Sequence, residues 1–217
     1  MEFSIGPGEN SLSLQIWKEY VDEFQIALEA PNGEHFLFPE QTNTPFRYQT
    51  NFGEILYYNG GPTPFTIKQP IFIEWISSPT DFVESGTWTL FFSPKRIILG
   101  TVNLWFPTIE AIGKTTGFFS PNPDITLTIP STAGNVITVG AYRTDTDSIA
   151  PFSGRGNTAD GRIKPTLVAP GVNVITTIPG GGYGRKTGTS IAAPFVTGSA
   201  ALLMEWGIVR GNDPFLY

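Results

Sequence analysis

The sequence predicts a mixed fold: a jelly-roll-like antiparallel β-sandwich over residues 1–110, followed by a shorter α/β segment over 111–217. Three observations carry that reading. Apolar residues alternate with polar ones through the first half, the signature of half-buried strands. The second half instead shows short continuous apolar runs and one apolar helix. Charge shifts at the same place, since residues 1–110 carry 5 basic and 13 acidic side chains, and 111–217 carry 8 and 6.

In the first half Leu12, Leu14 and Ile16 alternate with Ser11, Ser13 and Gln15. Phe24, Ile26 and Leu28 alternate with Gln25, Ala27 and Glu29, and Trp88, Leu90 and Phe92 with Thr87, Thr89 and Phe91. Turn residues separate them at Pro31-Asn32-Gly33, Asn59-Gly60-Gly61-Pro62, Ser85-Gly86 and Leu99-Gly100; Gly, Pro and Asn there supply the backbone angles that tight turns need. Strands at this spacing, without an internal repeat, suit a sandwich rather than a propeller.

Composition excludes several chemistries. With no cysteine, disulfides, thiolate metal sites and thiol catalysis are out. A single histidine, His35, excludes a histidine-cluster metal site, and no cofactor is expected. A net charge of −6 argues against nucleic acid as a partner. No uninterrupted apolar run approaches the ~20 residues of a membrane helix, so no membrane partner is expected. Lack of cysteine suits cytoplasm and spore alike and does not place the protein.

In the second half, 135–141 reads as a short buried strand and 172–175 as another, with a polar, glycine-marked loop over 143–164. Residues 190–206 read as a helix whose apolar residues reach nearly all round it, so it is expected to be buried on most sides. Thr197 and Ser199 are its small polar interruptions, each able to bond a carbonyl one turn back. Gly207 is its expected stop.

The chemistry concentrates at that helix's start, Gly188-Thr189-Ser190-Ile191-Ala192-Ala193-Pro194. A serine in a first helical turn sits beside free backbone N–H groups at the positive end of the helix dipole. That environment favours a nucleophile whose attack generates an oxyanion. Position alone favours Thr189 or Ser190 as an ordinary N-cap, because capping serines are common.

The wider segment decides between these. Gly188-Thr189-Ser190-x-Ala192-x-Pro194-x-Val196-x-Gly198-x-Ala200 resembles the nucleophile signature of the subtilisin-like serine peptidases (peptidase family S8). So, in the same order, do Val136 to Ala141, Phe152-Ser153-Gly154-Arg155-Gly156, Lys164-Pro165-x-Leu167-Val168-Ala169-Pro170-Gly171-Val172, and Pro179-Gly180 with Tyr183-Gly184. The ending from Leu203 to Asn212 is similar to the clostridial spore-germination (Csp-type) branch, whose members insert a jelly roll between the catalytic histidine and serine. The resemblance therefore implies a jelly roll joined to a partial subtilisin-like domain, its C-terminal part over 111–217.

By that resemblance Ser190 is the nucleophile and its own backbone N–H one oxyanion donor, with Gly188, Thr189, Ala192 and Pro194 as supporting motif. The aspartate, histidine and oxyanion asparagine of the family would lie upstream, on a missing segment of the same protein. His35, in Gly33-Glu34-His35-Phe36-Leu37, lacks the family's His-Gly-Thr setting and reads as a surface strand histidine. No aspartate heads an Asp-Ser/Thr-Gly pattern; Asp145, Asp147 and Asp160 read as loop and turn charges. Asn135 follows Ala133-Gly134 as the oxyanion asparagine would, but the strand is expected to begin at Val136, which makes it a structural residue at the strand entrance.

Two functions follow. The first is a serine endopeptidase acting on protein or peptide substrates, present as an incomplete and inactive fragment. The second is a non-catalytic pseudoprotease or scaffold module in spore germination, its sandwich holding a partner or glycan. Tyr57, Tyr58 and Trp105 are the aromatics that could face such a ligand, and they are expected to fill the core instead.

Overall fold

A computed structural model describes residues 1–40, 44–61, 64, 66–108, 111–158, 160–213 and 215 of the 217. Pro62 of the expected 59–62 turn and the terminal Leu216-Tyr217 lie outside them. The chain forms two compact units, Met1–Pro121 and Asn122–Tyr217.

The first unit contains β1 (Glu2–Ile5), β2 (Ser11–Glu19), β3 (Glu23–Glu29), β4 (His35–Leu37), β5 (Phe46–Gln49), β6 (Gly53–Asn59), β7 (Lys68–Ser77), β8 (Gly86–Arg96), β9 (Val102–Trp105) and β10 (Gly117–Phe118). They build two five-stranded antiparallel sheets, ordered β10-β1-β8-β3-β4 and β5-β6-β7-β2-β9. The alternation read from the sequence supplies the inner faces: Leu12, Leu14 and Ile16 from β2, Ile26 and Leu28 from β3, Trp88 and Leu90 from β8 are all buried in one core. Trp75 and Trp88 meet edge-on at its centre, ring centroids 5.6 Å apart, and Phe38 stacks on Tyr57 at 4.3 Å. Aromatic pairs in these geometries add to their burial energy.

The unit extends past residue 110, where the shift in charge and texture is expected to divide the chain. β10 pairs with β1 through Phe3↔Phe118 and Ser4↔Gly117. The buried Glu9 carboxylate accepts the Gly113 N–H at 2.6 Å and the Thr116 hydroxyl, tying 113–116 back to the sandwich. Charge and texture do not register such long-range pairings.

A second carboxylate organises the β8–β9 connection. Asp22, buried between β2 and β3, accepts N–H bonds from Ile98 (2.7 Å), Leu99 (2.9 Å) and Gly100 (2.8 Å). Those three donors hold its pKa below the ordinary value of 3.8, because each bond favours the ionised form.

The second unit contains β11 (Val139–Arg143), β12 (Ser148–Ile149), β13 (Gly156–Asn157), β14 (Ile163–Lys164), β15 (Leu167–Pro170), β16 (Val174–Thr177), β17 (Tyr183–Lys186) and α1 (Thr189–Met204). β11 and β15 run parallel, Val139↔Leu167 through Tyr142↔Pro170, and β12 pairs antiparallel on the other side of β11. The core is four buried alanines, Ala141, Ala150, Ala169 and Ala192, flanked by Val139, Val172 and Val196. Small residues there let α1 lie close against β11 and β15.

Three expectations are corrected here. The strand begins at Val139, not Val136; Val136 and Ile137 are 41% and 61% exposed, and Thr138 is held by side-chain and backbone bonds to Thr166 and Ser131 instead. The strand expected buried at 172–175 is Val174–Thr177 and is not buried, Ile175 being 64% exposed: β16 forms a separate antiparallel hairpin with β17, closed by Gly180-Gly181-Gly182, each at a φ near +90° that only glycine adopts freely.

The helix is the third. Of its residues only Ala192 is buried, while Phe195, Leu202, Leu203 and Met204 are 45%, 68%, 68% and 57% exposed. It continues as a wider π-type turn, Glu205–Val209, in which Gly207 is buried rather than terminal. Gly211, at φ 67, follows it. Residues 189–209 are also long and apolar enough, by length and composition, to span a bilayer. Counting only uninterrupted apolar residues misses this, because threonine, serine, proline and glycine interrupt the run while Glu205 is its single charge.

Candidate active site

Ser190 is the second residue of α1, exposed, in the helix's first turn. The N-cap is Gly188, and no side chain caps the helix, so neither Thr189 nor Ser190 takes the capping role. The first N–H groups of a helix have no intrahelical carbonyl; those of Thr189 and Ser190 are such groups. Ser190 Oγ itself makes no hydrogen bond among the described residues.

Glycines set this geometry. Gly188 has φ 155 and ψ 159, a region essentially reserved for glycine. Its N–H donates to the Gly171 carbonyl at 2.8 Å, and the Gly171 N–H donates to the Tyr142 carbonyl at 3.1 Å. A Cβ on Gly171 would lie 2.5 Å from Ala141 Cβ and 3.0 Å from the Gly188 carbonyl oxygen. The end of β11, the residue after β15 and the start of α1 are therefore in direct contact.

Ser153 anchors that contact from below. It is buried, and its Oγ accepts the Ala141 N–H at 3.0 Å. Lys164, also buried, donates from Nζ to the Val136 carbonyl at 2.6 Å. Both residues lie in the Phe152-Ser153-Gly154 and Lys164-Pro165 blocks of the resemblance, which marked them without assigning a task.

Pro194 lies inside α1. Having no N–H, it frees the Ser190 carbonyl from its i→i−4 bond, the single loss expected of a proline this early. Further along, Thr197 Oγ1 donates to the Ala193 carbonyl (3.2 Å) and Ser199 Oγ to the Phe195 carbonyl (2.8 Å).

The acid–base candidates stand elsewhere. His35 is on β4 of the first unit, opposite Glu29, with Nε2 3.8 Å from Glu29 Oε2 and its side chain 65% exposed. Asp145 is engaged bidentately by Arg143, at 3.1 and 2.8 Å. Asp160 accepts from Thr158 and Arg162. Those donors hold both aspartates below the ordinary carboxylate pKa. Asp147 occupies a turn at φ 48. Asn135 lies in an exposed turn ahead of β11 rather than at a strand entrance. No group of three or more potential metal ligands occurs among the described residues.

The site is thus an exposed serine on a helix start, locked to a parallel strand pair by glycine contacts. Comparison with known proteins places that arrangement. Residues 108–208 match the model of the subtilase family (Peptidase_S8). This segment is subtilase sequence. The solved structure of the Clostridium perfringens CspB protease aligns with the whole of this chain at a TM-score of 0.85 and 35% identity, the chain covering 45% of that protein. The extracellular basic protease of Dichelobacter nodosus is 38% identical over 118 residues, and the serine protease AprX of Bacillus subtilis 36% over 100. The chain spans 17% and 23% of those two relatives. The subtilase assignment and the mixed fold, a β-sandwich followed by a partial α/β subtilisin-like unit, both stand on these likenesses.

Proposed function

We propose that this chain carries the nucleophilic part of a serine endopeptidase, with Ser190 as its catalytic serine. The observation that carries the reading is Ser190 itself: exposed at the start of α1, capping nothing, its hydroxyl unbonded among the described residues, inside the segment that matches the subtilase model. Ser190 Oγ attacks the scissile carbonyl of a protein or peptide, its proton passes to a base, and the Ser190 N–H donates to the oxyanion. The acyl-enzyme then forms as the C–N bond breaks and the amine leaves with a proton; water releases the acid.

Among the described residues of its own unit, Ser190 Oγ has no base, orienting carboxylate or side-chain oxyanion donor bonded to it. His35 belongs to a sandwich strand and faces Glu29. A serine hydroxyl without a base is a weak nucleophile near neutral pH, so the 217-residue chain alone is inactive. The chain's 45% coverage of its structural relative supports an upstream segment that supplies the aspartate, histidine and asparagine. The same segment accounts for α1, since a helix apolar on all sides belongs in a core.

The test is hydrolysis of unfolded casein by the chain alone and by the chain extended upstream through the rest of its catalytic domain. Activity only in the extended protein, lost in Ser190→Ala, supports the reading. Activity in the isolated chain that His35→Ala abolishes overturns it.

A further inference from the structure

The solvent face of an antiparallel sandwich ordinarily carries polar residues at alternate positions. The β5-β6-β7-β2-β9 sheet departs from this. Its register sets Tyr58 beside Phe72, Phe72 beside Gln15 and Gln15 beside Trp105, one transverse row across β6, β7, β2 and β9. The neighbours of these residues along each strand, Tyr57, Ile71, Ile16 and Leu104, pack into the core, so the row faces away from it. Trp17, two positions along β2, lies on the same side, opposite Pro70 and Asn103. Gln15 is exposed, Tyr58 is 36% exposed, and Phe72, Trp17 and Trp105 are half-buried. Of the aromatics expected in the core only Tyr57 is fully there.

Three features define what this row fits. The Tyr58 and Phe72 rings are 6.3 Å apart and tilted by 34°, lying side by side and leaving ring area open. Polar groups interleave with them: the amides of Gln15 and Asn103, and Glu74 in the adjacent row. The charges on the face largely cancel, Arg47 pairing with Glu54 at 3.0 Å and Lys68 with Glu19 at 3.8 Å. Glu74 has no charged partner among the described residues.

We propose that this row binds a neutral, extended oligosaccharide. A pyranose ring offers an apolar C–H face to an aromatic ring and a rim of hydroxyls to amides and carboxylates, the combination of contacts found here. Successive strands lie ~4.8 Å apart, close to one sugar residue of an extended chain. Rings on Tyr58 and Phe72 and on Trp105 then flank a central sugar hydrogen-bonded by Gln15. Anionic ligands are disfavoured by the unpaired Glu74 and by the absence of a free cation in the row.

The test is calorimetric titration of the 217-residue chain with cellohexaose and with N-acetylchitohexaose. At least one gives saturable binding that Trp105→Ala and Tyr58→Ala each weaken about tenfold, the order of one aromatic contact, while Trp105→Phe retains it. Circular dichroism checks that each variant is folded. If Trp105→Ala is not, the exposed Tyr58→Ala decides. No saturable binding of either probe up to ~10 mM, a limit set by the weakness of millimolar complexes, overturns the proposal. So does binding unchanged in the Tyr58 variant, or tighter binding of acidic polygalacturonate than of either neutral probe.

Discussion

Replacing Gly171 by alanine tests the coupling between the parallel strands and the start of α1. The added Cβ would stand 2.5 Å from Ala141 Cβ, whereas carbon atoms rest at about 3.5–4.0 Å. The contact must open by ~1 Å, and backbone lies on both sides, because the Gly188 carbonyl oxygen is 3.0 Å away. Overpacking of this kind costs about 1–3 kcal/mol. The same displacement reaches Ser190 through the Gly188 N–H bond to Gly171, and a ~1 Å misplacement of a catalytic group costs about 10² in rate. Gly198→Ala is the matched control: it is a helical glycine with nothing within 4 Å of the added Cβ, so it gains helix propensity, up to about 1 kcal/mol. The assay is thermal unfolding of the 217-residue chain together with fluorophosphonate labelling of the extended protein. The expected outcome is a lower melting temperature and slow labelling for Gly171→Ala, with no lowering of the melting temperature of the 217-residue chain for Gly198→Ala. Equal stability of the two variants, with Gly171→Ala labelled at the parent rate, refutes the coupling.

Other outcomes follow from single contacts. Ser153→Ala leaves the buried Ala141 N–H without its acceptor and destabilises the second unit by about 1–3 kcal/mol, measured by denaturant unfolding; a neutral result means another acceptor replaces the hydroxyl. Asp22→Asn is less stable than the parent at neutral pH. Because the folded-state pKa of Asp22 lies below its unfolded value, that difference is full above ~4 and disappears as pH falls through the lowered folded value; melting curves that differ equally at pH 7 and pH 2.5 contradict it. The exposed apolar surface of α1 drives concentration-dependent self-association of the isolated chain, and Leu203→Lys, at a position 68% exposed, reduces it in sedimentation velocity without lowering the melting temperature.

The sandwich was legible in the sequence because each strand buries one face locally: Leu12, Leu14 and Ile16 alternate outright, and their burial follows from the pleat. The attachment of 113–118 was not, since Glu9 to Thr116 and Phe3 to Phe118 are contacts between distant residues. The same limit applies to Tyr58 and Trp105. Composition shows an aromatic, but register decides which face it joins, and a shift of one residue exchanges the faces. In the second unit the parallel pairing of 139–142 with 167–170 matched the apolar runs. Val136 and Ile137 are equally apolar yet exposed, and Val174 pairs in a hairpin, because pairing partners rather than apolarity choose the strand.

The placement of Ser190 at a helix start was readable because its neighbours are constrained by backbone chemistry: glycine at Gly188 for φ 155 and glycine at Gly171 for want of space beside Ala141. The helix's burial was not readable. An apolar run announces that cover is needed, and the four-alanine core supplies it on one narrow side only.

Mapping a fluorophosphonate adduct by peptide mass spectrometry tests the central proposal most directly. The extended protein is predicted to carry the adduct on Ser190 and on no other residue, with the isolated chain unlabelled and Ser190→Ala unlabelled in either form. An adduct elsewhere, or casein hydrolysis that survives Ser190→Ala in the extended protein, contradicts it.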